Sequence, residues 1–243
     1  MRFYDQLAEL YDEMIDFDQH LNTDLQIYQR LMERYPAEHI LDAGCGTGLH
    51  SLIFTRLGAR VTAIDNSAEM IARARENASR CKADVQFFQT DFLNFTDLVR
   101  GRFDAVYCMG NSFVHLPTKQ DRLQVFANFY RVMKHNGILC LQILNYDKIL
   151  IEKPSIISQK KRPPYQFIRK YDYQRHKIIF TLEIRGLSEP LFLIQDIFPL
   201  KSEDLIYLAQ ETGFNQIDLT GSLSMEPYDP GISQNICAWM RRD

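Results

Sequence analysis

The 243-residue sequence has few cysteines, no strong charge imbalance and no long apolar run. Its 5 cysteines are scattered without a CxxC pair, so we expect neither a metal site nor a disulfide framework. A net charge of -3 without a basic stripe argues against a nucleic-acid partner. No stretch approaches roughly 18 consecutive apolar residues, and the first residues have no apolar run of signal-peptide length. We therefore expect a cytoplasmic protein without a membrane partner.

The sequence is instead rich in alternating strand-like and helix-like segments. Two amphipathic patterns over residues 5–35 predict two helices ahead of the first strand. Helical patterns then separate several apolar stretches, and two closing strands follow Gly213. The stretches predicted as the first five strands are 39–44, 60–65, 85–91, 103–110 and 138–144. Such alternation predicts an α/β fold with a parallel sheet covered on both faces.

Residues 151–200 interrupt this pattern. The proline-containing segment 151–165 has little apolar period and is interpreted as a connector. Two extended segments, 169–186 and 191–200, predict antiparallel strands. We therefore expect one domain made of residues 1–150 and 201–243, with 151–200 as a small antiparallel β insertion. The insertion is either a lid or substrate subdomain, or else a sheet extension or dimer contact.

The stretch "HILDAGCGTG" ends in a glycine loop, Gly44 to Gly48, whose spacing is GxGxG. The dinucleotide fingerprint is GxGxxG, so an NAD-dependent dehydrogenase stays an alternative. Asp42, at the predicted strand tip, disfavours a pyrophosphate and favours a cationic ligand. S-Adenosylmethionine carries an ammonium and a sulfonium group and no phosphate, so we predict this cofactor. The glycines would let the backbone pass close under it.

Further polar and apolar residues lie at the other predicted strand tips, where ligands bind in such sheets. Asp65 suits a ribose diol, because a carboxylate can accept two hydroxyl hydrogen bonds. Asp91 can accept from an adenine amino group or, alternatively, cap a helix, and Phe92 can cover the ring face. Met70 is interpreted either as an adenine contact or as core.

The combination of "ILDAGCGTG", "VTAID" and "QTDF" resembles the class I S-adenosylmethionine-dependent methyltransferases. The resemblance implies a Rossmann-like, doubly wound seven-stranded sheet, mostly parallel with an antiparallel last strand. It also implies that Asp42 lies by the methionine end, that Asp65 holds the ribose, and that an N-terminal helix closes over the cofactor. The predicted cofactor-binding residues are Tyr4, Tyr11, Asp42, Gly44, Cys45, Gly46, Gly48, Asp65, Asn66, Met70, Asp91, Phe92 and Met109.

The stretches "MGNSFVHLP" and "LNYDKIL" resemble the glycine N-methyltransferase-like group, which implies in-line methyl transfer to an amine nitrogen of a small molecule, with release of S-adenosylhomocysteine. Asn111 matches the acceptor-side asparagine of that group, and His115 is a candidate for proton transfer. These two residues are the predicted catalytic residues. A non-catalytic cofactor-binding partner protein stays an alternative, and the sequence leaves a homo-oligomer open.

One departure from that group concerns the acceptor. The group has an arginine just before the Asn-Tyr-Asp run, where this sequence has Leu144. A leucine cannot form the bidentate contact that a guanidinium makes with a carboxylate. Glycine itself is therefore not expected as the acceptor, unless another cation such as Arg169 or Arg175 replaces that arginine.

Overall fold

The computed structural model describes residues 3–243, so the first two residues of the predicted domain lie outside it. Within these residues the chain forms two separate β-sheets. The strands of the described part are β1 (His39–Ala43), β2 (Arg60–Asp65), β3 (Val85–Gln89), β4 (Phe103–Cys108), β5 (Met133–Leu144), β6 (Ile156–Arg162), β7 (Tyr165–Tyr173), β8 (Ile178–Arg185), β9 (Leu191–Ile197), β10 (Gln216–Thr220) and β11 (Asn235–Arg241).

The large sheet has 7 strands in the order β10-β11-β5-β4-β1-β2-β3. Its strands pair in parallel except at β11, which is antiparallel to both β5 and β10. This arrangement confirms the predicted Rossmann-like sheet with an antiparallel last strand. The order reverses between β1 and β4, and in such sheets the crevice at the reversal point is where ligands bind.

The helices lie between the strands and ahead of them. Within residues 3–243 they are α1 (Phe3–Ile15), α2 (Phe17–Thr23), α3 (Leu25–Arg34), α4 (Leu49–Arg56), α5 (Ala68–Cys81), α6 (Phe95–Leu98), α7 (Lys119–Val132), α8 (Tyr146–Glu152) and α9 (Ser202–Glu211), with a 3-10 turn at Ser112–His115. No helix among these residues is long and apolar enough to cross a lipid bilayer.

Local side-chain bonds fix where several helices begin. Ser67 Oγ accepts from the backbone N–H of Met70 at 3.1 Å and caps α5, as the sequence predicts.

The prediction of two N-terminal helices over residues 5–35 is wrong, because three helices occupy this region. The additional helix is α2, which lies between the two predicted patterns, and Asp16, with a left-handed backbone conformation of φ 66°, separates it from α1.

The small sheet is antiparallel, in the order β6-β7-β8-β9, and confirms the predicted β insertion. The prediction of a connector over residues 151–165 is wrong, because β6 occupies much of it. Pro154 precedes β6, and Pro163 and Pro164 lie in the turn to β7. The prolines therefore flank the strand rather than interrupt it, which is where a sheet tolerates them.

Helix α1 joins the two sheets through a shared apolar cluster. Its residues Phe3, Leu7 and Met14 are buried against Met70 of α5 on one side. On the other side they pack against the inner face of the small sheet, whose buried members are Phe167, Leu182, Ile184 and Leu193. The small sheet and α1 therefore sit together over the carboxyl-terminal edge of the large sheet.

Candidate active site

A cavity of about 540 Å³ lies at the carboxyl ends of β1, β2 and β4 and is bordered by α1. Its volume is within the usual range for small-molecule sites. Most of the residues predicted from the sequence form its wall. These are Tyr4, Tyr11, Gly44, Cys45, Gly46, Asp65, Asn66, Met70, Asp91, Phe92, Met109 and His115. The described wall does not include Asp42, Gly48 or Asn111.

The glycine loop is shaped by its neighbours on both sides. Gly44 has φ +77°, and a Cβ added there would lie 2.9 Å from the Cβ of Ser112. Gly46 has φ +54°, and the ring of Tyr11 lies 3.7 Å from where its Cβ would be. Larger residues would thus strain the backbone at both positions and clash at Gly44. The loop can approach a ligand with bare backbone, and α1 supplies the opposite wall.

Asp65 ends β2 and holds the glycine loop in place. One carboxylate oxygen accepts from the backbone N–H of Gly46 and the other from that of Ser67, each at 2.9 Å. Burial raises the pKa of Asp65, and these bonds together with one from the backbone of Asn66 oppose that rise. A carboxylate offers about four acceptor sites, so Asp65 can still accept hydroxyl donors from a ligand.

Asp42 lies inside the protein rather than on the cavity wall. Its side chain is fully buried, and Ser51 Oγ donates to Oδ2 at 2.6 Å. Oδ1 has no hydrogen-bond partner among residues 3–243. Burial raises the pKa of Asp42 to about 7, against the bond from Ser51. An ionised Asp42 is therefore costly unless positive charge lies nearby.

Asp91 forms part of the wall and also caps the segment that follows it. Its Oδ1 accepts from the backbone N–H groups of Leu93 and Asn94, each at 2.9 Å. This is the helix-cap alternative considered for Asp91, and Oδ2 keeps acceptor capacity because it takes one bond, from the Asn94 amide at 3.0 Å. Phe92 beside it borders the cavity next to Gly44.

Several predicted residues belong to the core as well as to the site. Met70 and Met109 line the cavity and are buried. Cys45 is also on the wall, and burial raises the pKa of its thiol well above the ordinary value, so it stays protonated. Gly48 lies outside the wall and leaves room for Ala74 and Phe87, which would be 3.3 Å and 3.5 Å from a Cβ at that position.

Tyr4 and His115 form a hydrogen-bonded pair on the wall. The Tyr4 hydroxyl lies 2.9 Å from His115 Nε2, and His115 Nδ1 lies 3.2 Å from the carbonyl oxygen of Asp196. A carbonyl oxygen can only accept, so Nδ1 carries the proton and Nε2 accepts from the Tyr4 hydroxyl. Burial lowers the pKa of His115 and raises that of Tyr4. Both groups are therefore neutral near pH 7.

Asn111, the other predicted catalytic residue, is occupied by internal bonds. Its amide Nδ2 donates to the Tyr146 hydroxyl at 2.9 Å, and its Oδ1 accepts from the Leu144 backbone N–H at 3.0 Å. Asn111 has φ 69°, a turn conformation that asparagine tolerates better than most residues. Its side chain thus ties the end of β4 to the end of β5.

The wall also contains residues that the sequence did not single out. Among them are Thr47, His50, Thr90, Ser112 and Gln195. Thr47, Thr90 and Ser112 lie inside the quoted motifs, and His50 follows the glycine loop by two residues, so proximity to a motif could have indicated these four. Gln195 comes from β9 and reaches the cavity only because the small sheet folds back, so no local pattern indicates it.

His50 extends the set of neutral polar groups around the cavity. The Tyr28 hydroxyl lies 2.5 Å from His50 Nδ1, and burial lowers the pKa of His50 to about 4.

No lysine or arginine of residues 3–243 belongs to the wall. Across the same residues, no group of three or more His, Cys, Asp or Glu side chains is arranged to hold a metal ion. The wall therefore combines carboxylates with neutral hydroxyl and imidazole groups.

Comparison with known proteins gives concordant matches. A family described as a methyltransferase domain matches residues 40–137. A glycine/sarcosine N-methyltransferase from Parasynechococcus marenigrum is 31% identical over 229 residues, which cover 94% of this chain and 81% of that protein. Another from Aphanothece halophytica is 39% identical over 145 residues, 60% of this chain and only 55% of that protein.

A solved structure agrees at the level of the fold. It is an S-adenosylmethionine-dependent methyltransferase from Clostridium acetobutylicum, with a TM-score of 0.79, 16% sequence identity and coverage of 98% of both chains. At this identity the likeness concerns the architecture alone.

Proposed function

The chain belongs to the class I S-adenosylmethionine-dependent methyltransferases, in the glycine N-methyltransferase-like group, and we propose that it methylates an amine nitrogen of a small molecule. Its cofactor is S-adenosylmethionine. The proposal rests on one cavity. Its wall contains Asp65 and the glycine loop together with the neutral, hydrogen-bonded pair of Tyr4 and His115. The relatives described above give no support to an NAD-dependent dehydrogenase or to a binding-only partner.

The residues of the cavity fit the cofactor. Asp65 keeps acceptor sites for ribose hydroxyls, and the bare backbone at Gly44 and Gly46 leaves room for close approach. The unpartnered, buried Oδ1 of Asp42 favours a cationic ligand nearby. Asp91 Oδ2 would accept from the adenine amino group. When bound, S-adenosylmethionine supplies a methyl group already activated on a sulfonium.

The chain's own contribution is then to position the acceptor nitrogen and to keep its lone pair available. An amine must be neutral to attack, so its proton has to leave. The Tyr4 oxygen can accept from an amine N–H while its own proton points to His115 Nε2. We propose that His115 orients Tyr4 and can take a proton through it. Asn111 would act by fixing the ends of β4 and β5 rather than by touching the acceptor.

Helix α1 and the small sheet, residues 151–200, would act as a lid that excludes water from the site. Support comes from Gln195, which reaches the cavity from β9, and from the ring of Phe3, whose centroid lies 5.4 Å from that of Phe180. A closed site strengthens its internal electrostatic interactions and protects reactive groups.

The proposal also covers the chemical class of the methyl acceptor, the cellular location and the partners of the protein. The named relatives act on glycine and sarcosine, which are small amines that bear a carboxylate. We propose that this protein also methylates an amine, and the acceptor panel below is designed to identify it. We further propose a cytoplasmic setting without a membrane partner. We also propose that no nucleic acid is bound, and the net charge of -3 without a basic stripe supports this point. Assembly into a homo-oligomer is compatible with this proposal and is not needed for it.

The proposal is tested by measuring release of S-adenosylhomocysteine from S-adenosylmethionine with a panel of acceptors. The panel contains glycine, sarcosine, larger amines, hydroxylated aromatic compounds and carboxylic acids without an amine. We expect turnover only with amines. Turnover only with hydroxyl or carboxylic acid acceptors would contradict amine methylation, while tight cofactor binding without any turnover would favour a binding-only role.

A further inference from the structure

A second, smaller depression of about 130 Å³ lies on the large sheet, away from the cavity described above. Its floor belongs to β5, β10 and β11, where Arg241 pairs with Ile138 on one side and with Gln216 on the other. Ile138 also pairs with Ala105, near the start of β4. The depression therefore lies at the amino-terminal edge of the parallel strands, opposite the edge that carries the candidate active site.

Aromatic stacking fixes the end of α3 against this floor. The ring of Tyr35, the residue after α3, stacks on Trp239 of β11 with centroids 5.0 Å apart and an interplanar angle of 20°. Trp239 is buried, and its Nε1–H donates to Thr220 Oγ1 at 3.0 Å. Arg34 Nε donates to the Tyr35 hydroxyl at 3.2 Å. These contacts hold the Arg34 guanidinium beside the Tyr35 ring, 5.5 Å from its centroid, at the rim of the depression.

Three charged side chains meet in this depression without pairing with one another. Arg34 and Asp218 are exposed at its rim, and Arg241 is half-buried. Within residues 3–243 none of the three belongs to an ion pair, and neither Arg241 nor Asp218 has a side-chain hydrogen bond. The hydrogen bond to Tyr35 raises the pKa of Arg34, and the negative charge of Asp218 adds to this rise. The carboxylate therefore lies within electrostatic range of that guanidinium.

The arrangement combines donors for an anion with one acceptor for a proton. Two guanidinium groups present planar forks of N–H donors, which match the oxygens of a tetrahedral oxyanion. A carboxylate can only accept a hydrogen bond, so Asp218 repels a fully ionised oxyanion and accepts from one that keeps a hydroxyl group. The size agrees, because one water needs roughly 10–15 Å³ of such space, and the depression exceeds this several-fold without reaching the size of a nucleotide site.

We propose that this depression binds inorganic phosphate in a protonated form, held by Arg34 and Arg241 and recognised through its hydroxyl group by Asp218. The amide of Gln216 and the hydroxyl of Tyr35 supply further polar groups around it. Inorganic phosphate is favoured over a phosphate monoester, because a monoester loses its remaining proton at about pH 6, whereas inorganic phosphate keeps one well above neutral pH. The binding site does not depend on the proposed methyl transfer.

The test titrates phosphate into the protein at pH 8 in Tris buffer, with sodium chloride keeping the ionic strength constant. Trp239 is the only tryptophan of the chain and lines the depression, so its fluorescence reports occupancy there. Calorimetry gives the affinity independently. We expect phosphate to bind about 10-fold or more tightly than sulfate, which is also a tetrahedral dianion but has no hydroxyl group. Equal affinities would overturn the proposal, as would the absence of phosphate binding.

The variants Arg34→Met and Arg241→Met should each weaken phosphate binding by about 10- to 100-fold, the usual effect of losing a charged hydrogen bond. The matched control is Arg30→Met, which removes the same charge from an exposed position of α3 outside the depression. Asp218→Asn should let sulfate bind and remove most of the preference for phosphate, because an amide can donate to an ionised oxygen. The same loss in Arg30→Met, or an unchanged preference in Asp218→Asn, would contradict the assignment.

A phosphate monoester separates the two sources of the phosphate group. Methyl phosphate keeps a proton at pH 5.5 and has lost it at pH 8. We expect its affinity to fall by about 10-fold or more between these pH values, while inorganic phosphate binds at both. Methyl phosphate that binds as tightly as inorganic phosphate at pH 8 would show that the hydroxyl group is not recognised, which overturns the proposal.

Discussion

The buried carboxyl group of Asp42 makes the stability of the fold depend on pH. Burial raises its pKa from 3.8 to about 7. Between these values the folded protein holds a proton that the unfolded chain has released. The contribution of Asp42 to stability is therefore complete below pH 3.8 and is lost as the pH rises through 7. At 1.36 kcal/mol per pH unit, and because Asp42 is already half ionised at pH 7, the loss between pH 5 and pH 7 is about 2 kcal/mol.

The substitution Asp42→Asn isolates this effect. Asparagine has nearly the same size, does not titrate, and keeps an oxygen to accept from Ser51, whose hydroxyl lies 2.6 Å from the carboxylate. Urea unfolding of both proteins at several pH values between 5 and 8 gives their difference in free energy of unfolding. Other groups titrate alike in both proteins and cancel. We expect wild type to lose about 3 kcal/mol relative to the variant over this interval.

Ser51→Ala serves as the control, because it leaves the Asp42 carboxyl in place and should keep a pH dependence of the same sign. Parallel stability curves for wild type and Asp42→Asn would show that Asp42 does not cause the pH dependence.

The same titration governs cofactor binding, since a cationic ligand favours the ionised carboxylate. Affinity of wild type for S-adenosylmethionine should therefore rise as the pH increases towards 7, and affinity of Asp42→Asn should not.

Three further predictions concern the cavity. Gly44→Ala should weaken S-adenosylhomocysteine binding in calorimetry, because its Cβ would clash; Gly58→Ala, with φ +91° but nothing within 4 Å of its Cβ, should not. Asp65→Ala should reduce the same affinity by about 10- to 100-fold, and unchanged binding would contradict its ribose role. Tyr4→Phe should lower kcat with little change in cofactor affinity, and a kcat equal to wild type would exclude the proton path to His115.

The sequence predicted correctly those elements whose structure depends on residues close together in the chain. The apolar runs and the capping residue Ser67 sufficed for the large sheet and for α5, because strand burial and capping depend on nearby residues. The antiparallel last strand came from the family resemblance rather than from periodicity. Strand β6 was missed because its flanking prolines look like a loop when their position relative to the sheet edge is unknown.

The site itself was only partly predictable for a different reason. Strand tips converge on one edge of a parallel sheet, so Asp65 and Asp91 could be expected together. What a side chain does there depends on neighbours that are distant in the chain. Asn111 is engaged by Tyr146, and Gln195 enters from β9 through the register of the small sheet. Neither fact follows from spacing along the sequence.

Methyl transfer to an amine nitrogen can be measured directly. The protein is incubated with S-adenosylmethionine carrying an isotope-labelled methyl group and with the best amine of the acceptor panel. Mass spectrometry then locates the label while S-adenosylhomocysteine is quantified in the same sample. We expect one labelled N-methyl group for each S-adenosylhomocysteine formed. Label on oxygen or carbon, or S-adenosylhomocysteine formed without labelled amine, would contradict it.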